Sequence, residues 1–386
     1  SGQQCWFAAE KSPFYVACGG QVNDQGTVTV GSKQTPILDL KKMGDAILVK
    51  IVAPEKMTLG DTVTMTVDQH SRLHTMKNHT ATHLLQAALQ KVLGNGVKQA
   101  GSIVTPQYLR FDYTHHKPLT AEEIKTIEDL VNQKIWENIP VVVENTTYKK
   151  AIARGVIAFF GDKYNPESVR AIIIDDFSAE LCGGTHVRAT GDIGLFKITE
   201  EIALAAGQRR IVALTGLGAL QEFQQDFSLM KKLCQDLKIK PELLFQTVQD
   251  LGNKIKEQQK EISSMKSSVI KNQIPTWLQQ VNMIGDLPVA VIDAKGYSID
   301  ELRLIAQELQ KQKAGLYVLF NMQSGKTSFV AVVDKLFADE VEFTELKQWL
   351  QKEFGLQGGG NNLALQGGGP AIDMNQFNKK LIGWLQ

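Results

Sequence analysis

The chain reads as a multi-domain α+β protein: a small β-barrel or sandwich, a larger α+β domain, a helical connector and a C-terminal α/β domain. Four observations along the chain predict this. Residues 1–70 carry β-branched runs cut by turn residues, and residues 71–215 mix helical and strand patterns. Residues 216–273 turn polar and rich in Gln and Lys, and strand-like runs resume over 274–386.

GTVTVGS, DAILVKIV and DTVTMTVD supply the first strands, with Gly, Asp and Pro as punctuation. A helix is expected over 74–95, because Leu84, Leu85, Ala88, Leu89 and Val92 form an apolar stripe ended by Gly94-Asn95-Gly96. VKQAGSIV and LRFDY read as strands. Thr120 and Glu123 form a capping box for a helix that stops before Pro140. VRAIIID, GLFKIT and RRIVALT are further strands. Leu229, Leu233, Leu237, Leu244, Val248, Leu251 and Ile255 mark helices broken near Lys240-Pro241, with a short coiled coil as one reading. LPVAVIDA, AGLYVLFN and SFVAVVD read as buried strands, with IDELRLIAQELQKQ as an amphipathic helix between the first two, an order that suggests an α/β layer. Gly358-Gly359-Gly360 and Gly367-Gly368-Gly369 punctuate the end, before a last helix around 373–385.

The totals exclude several classes. No run of eighteen apolar residues predicts a membrane span, and no charged start with an apolar stretch predicts a signal peptide. Cys5, Cys18, Cys182 and Cys234 are too irregularly spaced for a disulfide framework, which fits a reducing, cytoplasmic setting. A net charge of +1 selects no partner by itself.

All seven histidines fall between His70 and His186. His79 and His83, in HTATHLL, lie one helical turn apart and share a helix face. Cys182 and His186, in CGGTH, repeat the spacing of four, and Gly183-Gly184 permit a tight return. Three His and one Cys are ligand types zinc prefers. By residues alone, the shared zinc site stands beside a plainer reading of polar helix residues and a small buried thiol. The motif has Thr80 where zinc proteases of the HExxH type carry Glu.

In order along the chain, SPFYVACGGQVNDQGTV, HTATHLL, CGGTH, GDIGLFKI, GQRRIVALTG and the paired glycine clusters resemble the C-terminal half of alanyl-tRNA synthetases: editing domain, helical connector and C-terminal domain. The resemblance covers nearly all of the sequence. It implies hydrolysis of serine or glycine wrongly esterified to tRNA(Ala), by a Zn2+-containing deacylase. The expected domains are a β-barrel subdomain at 1–70, a zinc-containing editing domain at 71–215, a helical connector at 216–273 and a tRNA-binding or dimerising domain at 274–386. In the family an aminoacylation domain precedes this region. The SPFY–GGQ–DQG opening resembles the synthetase form more than free-standing editing relatives. The runner-up is a non-catalytic tRNA-binding and oligomerisation fragment with a structural zinc.

The resemblance assigns the metal to His79, His83, Cys182 and His186, and makes Thr82 and Gln99 pocket residues beside Cys182. Thr82 equally suits a bond to a helix carbonyl, and Gln99 a surface strand. Glu180 suits either a carboxylate orienting a ligating His or an exposed ion pair. Gly19, Gly20 and Gln21 suit contacts to the terminal adenosine or a plain β-turn. Arg209 and Arg210 are candidate tRNA-backbone contacts or an ordinary structural pair. The glycine clusters suit close approach of a nucleic-acid backbone or flexible loops. Two departures stand out. Cys18 occupies a place usually held by Ser, and residues 361–366 interrupt the glycine tract.

Overall fold

Alternating apolar residues build the first sheet. β1 (Gln4–Ala8), β2 (Gly26–Val30), β3 (Lys33–Met43), β4 (Ala46–Val52) and β5 (Val63–Val67) pair antiparallel in the order β1-β4-β3-β2-β5. They enclose Phe14, Val28, Val30, Leu40, Val49, Ile51 and Val67. The expected barrel does not close. β3 carries a bulge between Ile37 and Asp39, so its first residues pair with β2 and the rest with β4. The sheet bends there around its small core. Its edges, β1 and β5, are not paired with each other.

The computed structural model describes residues 2–158 and 164–386 and divides the chain into two units, up to Pro241 and from Glu242. No helix among these residues is long and apolar enough to cross a membrane.

α1 (Gln69–Leu93) starts five residues before the expected point. The Asp68 carboxylate caps it by accepting from the His70 and Ser71 N–H groups, and Gly94 at φ 96° ends it. Residues Asn78 to Leu89 are buried without a break. The helix is therefore enclosed on all sides, and its polar residues must find partners inside. β6 (Gln99–Val104) and β7 (Leu109–Thr114) follow, then α2 (Ala121–Trp136) with the expected Thr120–Glu123 capping box. β8 (Val142–Thr146), α3 (Tyr148–Ala153), β9 (Val169–Ile174) and β10 (Ser178–Leu181) contribute an antiparallel sheet ordered β10-β9-β8. β11 (Phe196–Ala205) and β12 (Gln208–Thr215) complete the antiparallel sheet β11-β12-β7-β6. Leu84, Leu85, Ala88 and Leu89 of α1 share a core with Phe111, Tyr113, Ile127, Val131, Phe196 and Ile211. α4 (Gly216–Leu237) ends the first unit, with Lys238 left-handed at φ 54°.

In the second unit, α5 (Leu244–Leu278) runs through Pro275. Then come β13 (Asn282–Ile284), β14 (Leu287–Asp293), α6 (Ile299–Gln312), β15 (Leu316–Gln323), β16 (Lys326–Val333), α7 (Phe343–Phe354), β17 (Gln357–Gly360), β18 (Ala364–Pro370) and α8 (Met374–Leu385). The sheet order is β13-β14-β15-β16-β18-β17. Only β14 and β15, joined through α6, are parallel; every other pair is antiparallel. The unit is thus a mixed sheet rather than a parallel α/β layer. Ile270, Ile274 and Trp277 of α5 pack with α6 in one core, and α7 and α8 supply Leu346, Leu350, Phe377 and Leu381 to another.

The glycine clusters are strands, not loops. Gly358 to Gly360 pair with Leu365 to Gly367 in a hairpin, and Gly367 to Gly369 also pair with β16. A Cβ on Gly367 would overlap the Gln357 carbonyl, and one on Gly360 the Ala364 carbonyl. Glycine is needed there for close backbone approach.

Candidate metal centre

The middle of α1, the turn before β2 and the loop after β10 meet at one point. His79, His83, Cys182 and His186 each offer one ligand atom, and these atoms all lie within 4.8 Å of one another. His79 Nε2 is 3.3 Å from Cys182 Sγ and His186 Nε2 is 3.4 Å from it. The rings of His79 and His83 stack at 5.4 Å, as expected one turn apart.

Each imidazole is oriented by a partner at its other nitrogen. Gln21 Oε1 lies 2.7 Å from His79 Nδ1, and the Thr185 N–H points at the same Gln21 atom at 2.9 Å. A backbone N–H must meet an acceptor, so that atom is the amide oxygen and His79 Nδ1 is the donor. Thr80 Oγ1 donates to the Met76 carbonyl and accepts from the Val187 N–H. Its one proton is used, so it accepts from His186 Nδ1 at 3.2 Å. The Glu180 carboxylate accepts from His83 Nδ1. With every Nδ1 committed, the three Nε2 atoms are the ones left to face the thiol, and His83 Nε2 is buried with no hydrogen-bond partner. An orphaned buried ring nitrogen, two convergent imidazoles and a thiol are a donor set that fits a metal ion. Paired Nδ1 atoms are what ligating histidines need.

The electrostatics agree with such a set. Burial pushes the Cys182 thiol up, but the charge of His79 and hydrogen bonds from the histidines outweigh it and hold it well below the usual thiol range. Burial and the charge of His79 bring His186 down to about 3. Burial also lowers His83, yet Glu180 reverses that and raises it to about 10. The Gly184 N–H donates to Cys182 Sγ at 3.4 Å. Arg170, on β9, fixes the loop by donating to the carbonyls of Cys182 at 2.9 Å and Gly184 at 2.7 Å. A Cβ on Gly184 would overlap the His79 ring, which explains the glycine.

A cavity of about 450 Å³ opens on this cluster. Its walls include Thr82, Gln99, Ser102, Tyr15, Gly19 and Gly20, with Cys18 also facing it. Thr82 Oγ1 donates to the Asn78 carbonyl at 2.9 Å, so its lone pairs remain as acceptors. The bulge between Gln99 and Gly101 turns Gln99 and Ser102 to the same side, as bulges beside sites do.

The GGQ segment is a tight turn, with Cys18 and Gln21 exchanging backbone bonds and Gly19 and Gly20 at φ 57° and 85°. A Cβ on Gly20 would sit 2.6 Å from the Ser102 carbonyl, so glycine lets the turn close against β6. Arg209 and Arg210 do not line the cavity. Arg209 pairs with Glu201, and Arg210 is bidentate to Asp112 at 2.7 and 2.9 Å. Sequence reasoning missed Thr80, Thr185 and Arg170. Thr80 was visible inside HTATH; the other two carried no local signal.

Residues 169–212 match the family model described as Threonyl and Alanyl tRNA synthetase second additional domain. The alanine–tRNA ligase of Pseudothermotoga lettingae is 37% identical over 99% of this chain and 45% of its own length. That of Carboxydothermus hydrogenoformans is 39% identical over 93% of this chain and 41% of its own. The chain thus spans less than half the length of the curated relatives it matches. A crystal structure of the C-Ala domain from Aquifex aeolicus alanyl-tRNA synthetase aligns at 25% identity with 27% of this chain and 96% of that one, at a TM-score of 0.26.

Proposed function

We propose, from the premise that this chain is similar across almost its whole length to part of the alanine–tRNA ligases, that it hydrolyses the ester of tRNA(Ala) mischarged with serine or glycine. The observation that supports this best is the convergence of three imidazole nitrogens and a thiol at one wall of a cavity that also holds Thr82 and Gln99. His79, His83, Cys182 and His186 would hold Zn2+. When bound, zinc would supply Lewis acidity to the reacting carbonyl or water.

The remaining chemistry is argued from the chain's own groups. Thr82 Oγ1 spends its proton on Asn78, so it meets a donor such as a serine hydroxyl. An alanine in that place leaves the acceptor unpaired, and this favours the seryl ester. Gln99 has no side-chain hydrogen bond among the described residues. Its amide is free to donate to the ester carbonyl oxygen or accept from the attacking water. Water oxygen bonds to the carbonyl carbon, the ester C–O bond breaks, and the ribose oxygen leaves with a proton. The Gly19-Gly20 turn gives backbone access at the same wall.

The test is single-turnover deacylation of seryl-tRNA(Ala), with alanyl-tRNA(Ala) in parallel, on the zinc-loaded protein and on Gln99→Ala and Thr82→Val. We expect selective cleavage of the seryl ester, lost at least about a hundredfold in Gln99→Ala, with metal content and tRNA binding unchanged. A zinc-loaded protein that binds tRNA and spares the seryl ester is instead a binding fragment with a closed structural site.

The second unit supports a homodimer. Val248, Ile255, Ile262 and Val269 of α5 repeat every seven residues, with Leu251, Gln258 and Met265 between them. The apolar members of this seam are all more than 40% exposed. β-branched residues at the first position of each heptad favour a two-stranded coiled coil.

A further inference from the structure

Gln21 belongs to the N-terminal segment, in the turn that precedes β2, yet it is only 2% exposed. Its amide oxygen accepts from His79 Nδ1 at 2.7 Å and from the Thr185 N–H at 2.9 Å, and its Nε2 donates to Thr185 Oγ1 at 2.9 Å. One side chain thereby joins three separate segments: the turn beside the first sheet, α1, and the CGGTH loop. Every polar atom it owns is spent on positioning. The turn is held in place independently, since Val104 N donates to the Gly20 carbonyl and Val22 N to the Val104 carbonyl.

We infer that Gln21 is a positioning residue for the metal centre: it supplies no ligand, but fixes His79 as the tautomer whose Nε2 faces the ion, so that the first sheet and its turn are a working part of the site. This rests on the reading of the four-residue cluster as a metal site. Without the amide oxygen, His79 Nδ1–H has no acceptor, and the ring loses both its orientation and its preference for presenting Nε2.

The experiment measures zinc affinity of the full chain by competition with a chromophoric chelator, for wild type, Gln21→Met and Gln21→Glu. Melting temperatures are recorded alongside, together with the imidazole 15N–1H spectrum, which reports the His79 tautomer. Methionine keeps the shape and removes the acceptor; glutamate keeps the acceptor and removes the donor. We expect Gln21→Met to lose roughly ten- to hundredfold in zinc affinity. We expect Gln21→Glu to stay within about threefold of wild type, since a carboxylate serves both N–H donors. Equal affinity in Gln21→Met and wild type overturns the inference, as does an equal loss in both variants, which would assign Gln21 to packing. Should Gln21→Met fail to fold, the Gln21→Glu affinity and the wild-type tautomer still decide it: a weakened Gln21→Glu, or His79 protonated at Nε2, overturns it. Wild type that takes up no zinc overturns the metal reading itself, which is a different outcome.

Discussion

His83 faces two ways: its Nδ1 is bound to the Glu180 carboxylate, and its Nε2 points at Cys182 and the other imidazoles with nothing to accept from. Burial lowers its proton affinity, but Glu180 outweighs burial and the balance reaches about 10. Metal-free protein at neutral pH therefore carries a proton that a ligating His83 must give up. We expect zinc binding near pH 7 to release protons, seen as acidification in a weakly buffered indicator solution. Zinc affinity should fall about tenfold per unit as pH drops, and Glu180→Gln should reduce the release. In the metal-free protein the sign is opposite. A folded-state value above the ordinary 6.5 contributes stability fully present below about 6.5 and lost as pH rises through about 10. A metal-free melting temperature that is flat between pH 6.5 and 10 would contradict this. The four proposed ligands were legible at this scale because two spacings of four are local facts. Their orienting partners were not, because Gln21 meets His79 across 58 residues and Thr80 meets His186 across 106.

Secondary elements show the same division between local and distant signals. The α2 capping box was legible because Thr120 and Glu123 carry it within one turn. The start of α1 was read late because its first turn is polar, and only the Asp68 cap marks it. Glycine tracts were read as punctuation because glycine carries no strand propensity, yet the neighbouring strands dictate that no side chain fits. That claim separates individual glycines. Gly367→Ala should destabilise the protein by more than about 1 kcal/mol, since its Cβ would overlap the Gln357 carbonyl. Gly359, in the same hairpin, has nothing within 4 Å of an added Cβ. Gly359→Ala should be neutral or stabilising by up to about 1 kcal/mol. Thermal unfolding of the two variants, followed by circular dichroism, checks the pair. Similar losses in both would mean that the close approach at Gly367 does not limit the hairpin.

At the scale of the whole molecule, the order of elements was legible and the closure of sheets was not. Whether β1 meets β5, or β15 takes an antiparallel neighbour, depends on pairings that no window of sequence contains. α5 is where local pattern and molecular assembly join. Its heptad seam lies outside the second unit's two cores, which take from this helix only Ile270, Ile274 and Trp277 and the half-buried Leu278. Six apolar residues at heptad positions, each 43 to 58% exposed, leave an apolar strip facing solvent that only Gln258 interrupts. A second copy of the same helix covers it with matched register, placing Gln258 against Gln258 at the one polar position. Sedimentation equilibrium of the full chain should therefore show a dimer. Ile255→Lys and Ile262→Lys together should place four lysines in the paired seam and shift the species to monomer. Both positions are solvent-exposed, so the fold should keep its circular dichroism and its zinc content. Gln258→Leu should act the other way and tighten the dimer. A wild-type chain that stays monomeric at tens of micromolar would show that the seam is covered by something other than its own copy.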